Sequence, residues 1–226
     1  MKPRPRMNLP GWLLCLALCA LGSRMAGAET ISPAETLLFQ TNHLQNIQAP
    51  VTLSYAFKKT SSVEPGFEDE VRLDVTRINP DGSAAVALRF LSGARKLALP
   101  QVENSQGNPV LLGFLERDIG EMQRLTGGTS AYFRKRIRMA LAETAQLRPV
   151  TVNYQGRQLA GQEVAVQPYL KDPLHERFEN YVNKRYVFVF SEQLAGGLYQ
   201  IRTSSSGAAA QTDETLTLVG EEKPPR

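Results

Sequence analysis

The hydrophobic period of this chain changes twice, and the order of the changes restricts the fold more than any single motif does. Apolar residues alternate with polar ones over residues 51–90, recur every three or four positions over 110–145, and alternate again over 150–218. Alternation is typical of half-buried strands, and the longer spacing is typical of amphipathic helices. This order favours an α+β fold, with a mostly antiparallel, curved β-sheet and helices on one face, over repeated βα units.

Capping and stop signals set the ends of the predicted helices. The segment 32–35 (Ser-Pro-Ala-Glu) has a capping serine, a proline at the first helical position and a glutamate that reaches back to the cap. It predicts an N-terminal helix that ends before Pro50. Gly127-Gly128 separates two central helices, and Pro149 ends the second. Because the connection is short, we predict a central helical hairpin packed on one face of the sheet.

Turn residues and alternation also place individual strands. The segment 79–82 (Asn-Pro-Asp-Gly) predicts a tight turn between two strands. Residues 96–100 predict one more short strand. Residues 185–190 are apolar at successive positions, which indicates a central strand covered on both faces. Leu216 and Leu218 predict an edge strand.

The first 28 residues have the three parts of a secretory signal peptide. Lys2, Arg4 and Arg6 form a basic start, residues 12–21 are mostly apolar, and the small residues Ala26-Gly27-Ala28 follow. We predict cleavage after Ala28 and a periplasmic location for the mature protein.

Two alternatives to a cleaved signal are weaker. A membrane-spanning helix needs about 20 apolar residues, and Arg24 interrupts the apolar stretch well before that length. Lipidation at Cys15 or Cys19 is disfavoured because each cysteine follows a leucine instead of a small residue. After the signal, we predict a single α+β domain over 29–220, a disordered tail over 221–226 and no transmembrane helix in the mature chain.

The composition changes once the signal is set aside. The two cysteines of the chain both lie in the signal, which excludes thiol catalysis, disulfides and cysteine-based zinc sites in the mature protein. Four of the 26 basic residues also lie there, so 22 basic residues balance 22 acidic ones. A neutral chain lacks the broad basic field that attracts nucleic acid, and we predict no nucleic-acid partner.

Few residues of the sequence suit a catalytic or metal site. The two histidines are His43 and His175, and neither a Gly-x-Ser-x-Gly nor a His-Glu-x-x-His motif occurs. His43 lies at the margin of an apolar helical stripe, which favours a structural role. The acidic residues within 64–70 lack the ligand spacing of a calcium loop and are interpreted as solvated charge. We predict no cofactor and no metal; a hydrolase that uses His175 or a pair of carboxylates is the less favoured alternative.

The most distinctive polar cluster lies in the second central helix, over residues 132–138 (Tyr-Phe-Arg-Lys-Arg-Ile-Arg). Arg134 and Arg138 align one helical turn apart, with Lys135 beside them. His175 lies in a predicted loop next to Asp172 and Glu176. The candidate binding residues are Tyr132, Arg134, Lys135, Arg138 and His175.

Two interpretations of the basic cluster compete. In the first, the arginines form ion pairs with Glu116, Asp118 and Glu121 of the first central helix and neutralise both rows. In the second, the cluster contacts an anionic group at the envelope, such as a lipid phosphate, lipopolysaccharide or a partner protein.

Export, a thiol-free sheet and two covering helices together favour a non-enzymatic periplasmic protein of the cell envelope. Such a protein would bind an apolar or amphipathic ligand, for example a lipid, or an envelope partner protein. Exported carriers of lipids and lipoproteins share this general architecture, which by itself says little about function. The alternative is a structural or assembly factor that accepts a partner's strand at the predicted edge near Leu216.

Overall fold

One curved sheet of nine antiparallel strands dominates the computed structural model, which describes residues 31–207 and 211–223. The strands are β1 (Val51–Ser61), β2 (Phe67–Ile78), β3 (Ala84–Phe90), β4 (Val102–Ser105), β5 (Gln146–Tyr154), β6 (Arg157–Val166), β7 (Arg185–Phe190), β8 (Leu198–Ser206) and β9 (Gln211–Glu222). Their order across the sheet is β4-β3-β2-β1-β9-β8-β7-β6-β5. Every neighbouring pair is antiparallel, so the predicted α+β class is confirmed.

The helices are α1 (Pro33–Glu35), which continues as a π-helical turn (Thr36–Gln40), α2 (Pro109–Thr126) and α3 (Ser130–Glu143). The predicted capping box is present at Ser32, whose hydroxyl accepts a hydrogen bond from the Glu35 amide at 3.1 Å. Gly127 ends α2 with a φ of 69°, a left-handed conformation that glycine adopts without strain. None of the described helices has both the length and the apolar character that crossing a membrane requires.

Strand register builds one continuous apolar face. Phe57 pairs with Leu216, Leu216 with Ile201, and Ile201 with Phe188, and all four side chains are buried. Directly paired residues lie on the same face of a sheet, so this row crosses four neighbouring strands. Helix α2 covers it: the ring of Phe114 lies 6.4 Å from that of Phe57.

Helix α2 also approaches the sheet closely at Gly113. A Cβ atom at this position would lie 2.9 Å from the side chain of Phe90 and 3.0 Å from that of Leu88. The glycine therefore lets the helix backbone pack closely on β3, on the same face of the sheet.

The opposite face of the sheet carries polar side chains in cross-strand contact. Arg148 and Arg202 pair with the two oxygens of Glu163, at 2.8 and 3.4 Å. Arg89 pairs with Asp74 at 2.9 Å. Buried apolar residues on one face and ion pairs on the other explain the alternation over 51–90 and 150–218.

Several local predictions differ from the structure. The N-terminal helix ends at Gln40, because the side chains of Asn42 and His43 hydrogen-bond to backbone groups and offer an alternative to helical bonds. Over 96–100 the chain makes a single bridge at Leu97, and the extra strand, β4, comes later. Pro149 lies inside the edge strand β5.

The prediction of an edge strand at Leu216 is wrong. Strand β9 lies inside the sheet, between β1 and β8, and extends to Glu222, into the predicted tail. Leu216 is fully buried, so no strand edge is available there for a partner. The predicted signal peptide over 1–28 lies outside the described residues.

Residues 185–190, by contrast, form the predicted central strand, β7. All of its residues after Arg185 are buried, so both of its faces are covered. The turn over 79–82 also forms as predicted, with Gly82 at a φ of 79° and its amide donating to the Asn79 carbonyl at 3.0 Å.

Candidate functional site

The exposed side of α3 carries the predicted basic cluster. Arg134 makes a bidentate pair with Glu116 of α2, with Nε 2.9 Å from Oε1. Both side chains are about half exposed, at 52% and 42%, so the pair adds little stability. The predicted pairing across the helical hairpin therefore occurs for Glu116, whereas Asp118 and Glu121 pair with cations outside α3.

Lys135 and Arg138 differ from Arg134. Both are exposed, and within the described residues the ion pairs of α3 are those of Arg134 and Arg136. Two cations of the cluster thus face solvent, and no carboxylate among the described residues lies within ion-pair distance of them.

Asp172, in the loop between β6 and β7, fastens that loop to α3. Its carboxylate accepts hydrogen bonds from the Tyr132 hydroxyl and from the Leu174 amide, the latter at 2.8 Å. Nε of Arg136 lies 2.7 Å from Asp172 Oδ2, an ion-pair contact without hydrogen-bond geometry. Burial and the Asp172 carboxylate raise the pKa of Tyr132 to about 12, so the hydroxyl stays protonated and donates.

His175 follows Asp172 on the surface and does not form an acid–base pair with its carboxylate. The side chain is exposed, and Nδ1 lies 2.9 Å from the backbone carbonyl of Asp172. A hydrolase based on His175 would need a serine or aspartate side chain within hydrogen-bond reach. The contact observed is with the backbone, and it supports a structural role in the loop.

His43 has the structural role that its position predicted. Nε2 lies 2.8 Å from the Leu37 carbonyl, Nδ1 accepts from the Asn108 amide at 3.2 Å, and the ring stacks on Phe190. Burial lowers the pKa of His43. With both ring nitrogens occupied by backbone groups, the imidazole ties the α1 region to the start of α2.

A buried charged cluster lies beneath α2. Asp118 contacts the Lys184 ammonium at 2.5 Å and accepts a hydrogen bond from the Tyr186 hydroxyl at 2.6 Å. Tyr169 extends the cluster through a 3.2 Å contact with Tyr186. All four side chains are buried. Burial, and then the charge of Asp118, raises the pKa of Tyr186 well above its ordinary value, which keeps the tyrosine a donor.

A second charged cluster lies further along α2, towards the loop between β1 and β2. Lys59 of β1 lies 2.7 Å from Glu121 and 2.5 Å from Glu64, and Arg117 lies 2.8 Å from Glu214. Burial alone would lower the pKa of Lys59, but the hydrogen bonds to Glu121 and Glu64 outweigh it and raise the pKa. Lys59 therefore remains charged although its side chain is only 4% exposed.

An open cleft of about 320 Å³ adjoins this second cluster. We call it the α2 cleft. Its lining includes four cations and the ring of Phe67, between α2 and the β1–β2 loop. Its lining residues include Lys59, Glu64, Phe67, Arg95, Arg117 and Arg124.

The interior beneath the helices is filled by large side chains. Tyr55, Phe114, Tyr186 and Phe188 are completely buried there. The other prominent cavity of the described residues, about 310 Å³, is a surface depression beside α1. A ligand held between the helices and the centre of the sheet would therefore have to displace packed side chains.

Two acidic residues at the start of β2 pair with different cations. Glu68 pairs with Lys58 at 2.9 Å, and Asp69 with Arg95 at 3.3 Å. Among the described residues no group of three His, Cys, Asp or Glu side chains is arranged to hold a metal ion.

The architecture is thus an antiparallel sheet with a helical pair on one face. No protein-family model and no curated protein sequence matches the chain. Among solved structures, it is similar to the lipoprotein LppX of Mycobacterium tuberculosis, with 10% identity and a TM-score of 0.35, over 86% of this chain and 98% of that one.

Two further structures are similar at comparable levels. A LolA superfamily protein of Nitrosomonas europaea has 10% identity and a TM-score of 0.24, over 85% of this chain and 94% of that one. A DUF1329 family protein of Desulfovibrio piger has 8% identity and a TM-score of 0.28, over 84% and 90%. All three TM-scores are too low for an inference about function.

Sequence reasoning missed the α2 cleft, although its signals are readable. Lys59 continues the inward alternation of Leu53, Tyr55 and Phe57 and so had to point into the protein. Asp118 lies on the apolar stripe of α2, one turn after Phe114. A charged side chain at a buried position needs a partner of opposite charge. The inward positions of Lys59 and Asp118 therefore indicate the two charged clusters.

Proposed function

We propose that this protein is exported to the periplasm, that its signal peptide is cleaved after Ala28, and that it binds anionic lipid at an envelope membrane without catalysing a reaction. The basic start, apolar stretch and small residues of the first 28 positions support export. The binding surface that we propose consists of α3 and the loop between β6 and β7.

The observation that carries this proposal is the combination of exposed cations and exposed leucines on that surface. Lys135 and Arg138 face solvent, and the loop fastened to α3 through Asp172 exposes Leu170 and Leu174 by 48% and 39%. Cations that meet lipid phosphates beside apolar residues that enter the headgroup region are typical of peripheral membrane binding.

The five predicted binding residues have different parts in this proposal. Lys135 and Arg138 contact lipid phosphates directly, whereas Arg134 is neutralised by Glu116 and joins α3 to α2. Tyr132 holds the leucine-bearing loop through Asp172, and His175 lies at the surface of the same loop.

The proposal is tested by vesicle sedimentation with the protein purified after export of the full-length chain. Each cation near an anionic membrane contributes about 1 kcal/mol, so Lys135→Gln/Arg138→Gln should weaken binding to phosphatidylglycerol vesicles about 30-fold. Lys58→Gln/Arg77→Gln is the matched control, because it removes two cations from exposed ion pairs elsewhere. Its binding should stay within about threefold of wild type.

Equal weakening by the two double variants would show that net charge alone matters and would refute the proposed surface. Binding to neutral phosphatidylcholine vesicles at the same strength would refute anionic recognition. The mass of the purified product tests export independently, because cleavage after Ala28 leaves Glu29 as the first residue.

An apolar ligand carried beneath the helices is a second form of the lipid proposal. It would require α2 and α3 to move away from the sheet, because the interface is filled by side chains such as Tyr186 and Phe188. Lipid analysis of the exported protein separates the two forms: a tightly bound lipid in stoichiometric amount supports a carrier, and its absence supports surface binding alone.

A further inference from the structure

The α2 cleft contains an internal carboxylate that is held as a ligand's anionic group would be. Glu64 Oε1 lies 2.5 Å from Lys59 Nζ, and Oε2 lies 2.9 Å from Arg124 Nη2. An ammonium and a guanidinium thus each bind one oxygen of the same carboxylate, a geometry that carboxylates and phosphates share.

Glu64 differs from the other acidic residues of the cluster in where it is attached. Glu121 belongs to α2 and Glu214 to β9, both parts of the helix and sheet framework. Glu64 comes from the short loop between β1 and β2, next to Val63, whose side chain is 53% exposed. Movement of this loop would withdraw the carboxylate without disturbing the helix or the sheet.

The remaining charges favour an anion once Glu64 has left. Among the described residues, Lys59, Arg117 and Arg124 would then keep ion-pair contacts with Glu121 and Glu214, and these five side chains would carry one uncompensated positive charge. Lys59 is almost completely buried, and a buried ammonium that loses one of its partners strongly favours a replacement anion.

One aromatic side chain, Phe67, lines the cleft next to these cations. The guanidinium of Arg95 lies 4.4 Å from the centre of the Phe67 ring, and Phe67 stacks on Phe57 at 5.4 Å. An apolar group attached to the anion would meet Phe67 on entering the cleft.

We propose that the α2 cleft binds a carboxylate or phosphate carried on an apolar body, and that Glu64 is a tethered competitor which the ligand displaces. This site is separate from the proposed membrane surface of α3. The two proposals therefore stand or fall independently.

The test is calorimetric titration of the exported protein with octanoate, which combines a carboxylate with an apolar chain. Glu64→Gln removes the competing charge and should increase octanoate affinity at least about tenfold, whereas Arg124→Gln should decrease it by about the same factor. Glu68→Gln is the matched control: it removes one negative charge from an exposed pair nearby and leaves the cleft unchanged. Its affinity should equal that of wild type.

Further probes identify which part of the ligand is recognised. Acetate and inorganic phosphate supply the anion alone, and 1-octanol supplies the chain alone; each should bind at least about tenfold more weakly than octanoate. Equal affinity for octanoate and phosphate would overturn the apolar part of the proposal. Equal effects of Glu64→Gln and Glu68→Gln would overturn the competitor role.

Two additional measurements provide a replacement variant and a check that the two proposed sites are separate. If Glu64→Gln does not fold, Glu64→Asp serves instead, because the shorter side chain reaches the cations less well; unchanged octanoate affinity in that variant would also overturn the proposal. Lys135→Gln/Arg138→Gln should bind octanoate like wild type, and loss of octanoate binding in it would show that the two sites are not separate.

Discussion

The buried pair of Asp118 and Lys184 offers the sharpest test of how α2 is held on the sheet. Asp118→Asn keeps the shape of the side chain but removes its charge, and the Lys184 ammonium then lies buried without a counter-ion. Removing one partner of a buried ion pair costs about 3–5 kcal/mol. That is a large part of the 5–15 kcal/mol or so that stabilises a typical domain.

The neighbouring acidic residue of the same helix supplies the control. Glu116→Gln breaks the pair with Arg134, whose side chains are about half exposed, and exposed pairs contribute about 0–1 kcal/mol. Urea denaturation of both variants should therefore give unfolding free energies that differ by about 2–5 kcal/mol. The contrast arises from burial, since both variants lose one carboxylate from α2.

A double variant distinguishes a lost attraction from an uncompensated charge. Asp118→Leu/Lys184→Met removes both charges and leaves apolar side chains in the same space. Replacement of a whole buried pair is often close to neutral, so the double variant should be more stable than Asp118→Asn. If Asp118→Asn costs no more than Glu116→Gln, the argument from burial is refuted.

Two other predictions concern the ion pairs of Glu121 and Asp172. The hydrogen bond from Arg124 holds the pKa of Glu121 well below its usual range. The ionised carboxylate of Glu121 therefore contributes to stability above about pH 4, and this contribution is lost as the pH falls further. Urea denaturation between about pH 5 and pH 3 should show a shallower loss in Glu121→Gln, whereas the exposed Glu103→Gln should follow wild type. Asp172→Asn should cost about 1–3 kcal/mol and speed hydrogen exchange over residues 169–178; unchanged exchange would show that Asp172 does not fasten the loop.

Elements that depend on neighbouring residues were predictable from the sequence. The capping box at Ser32, the turn before Gly82 and the stop at Gly127 each involve bonds within a few residues. Periodicity likewise placed α2 and α3 and separated them from the strands. Such signals are local, and the α+β class followed from their order along the chain.

The position of β9 was not predictable in the same way. Its alternation shows that it is a strand, but the pairing with β1 joins segments more than a hundred residues apart in the chain, for example Phe57 and Leu216. Local patterns contain no information on such pairing. Pro149 shows a related limit: a proline after an amphipathic stretch predicts the end of a helix, but it is also compatible with an edge strand, where its missing N–H leaves no hydrogen bond unmade.

The two candidate sites also differ in whether local sequence patterns identify them. The basic face of α3 is a local pattern, and Lys135 and Arg138 were identified from helical spacing alone. The α2 cleft combines residues of β1, α2 and the β1–β2 loop, so its composition depends on the tertiary fold. The sequence does indicate that Lys59 and Asp118 need partners of opposite charge, because both occupy inward-facing positions.

The buried ion pairs also bear on where a ligand can bind. Asp118, Arg117 and Glu121 connect successive turns of α2 to charged groups of the sheet and its loops. Lifting the helix would separate each pair and leave charges in an apolar interior, which is far more costly than separating apolar surfaces alone. Binding at the rim avoids this cost, because Glu64 can be replaced by another anion while α2 stays in place. Because the exposed face of α3 can be reached without separating these ion pairs, it suits the proposed membrane contact better than the interior does.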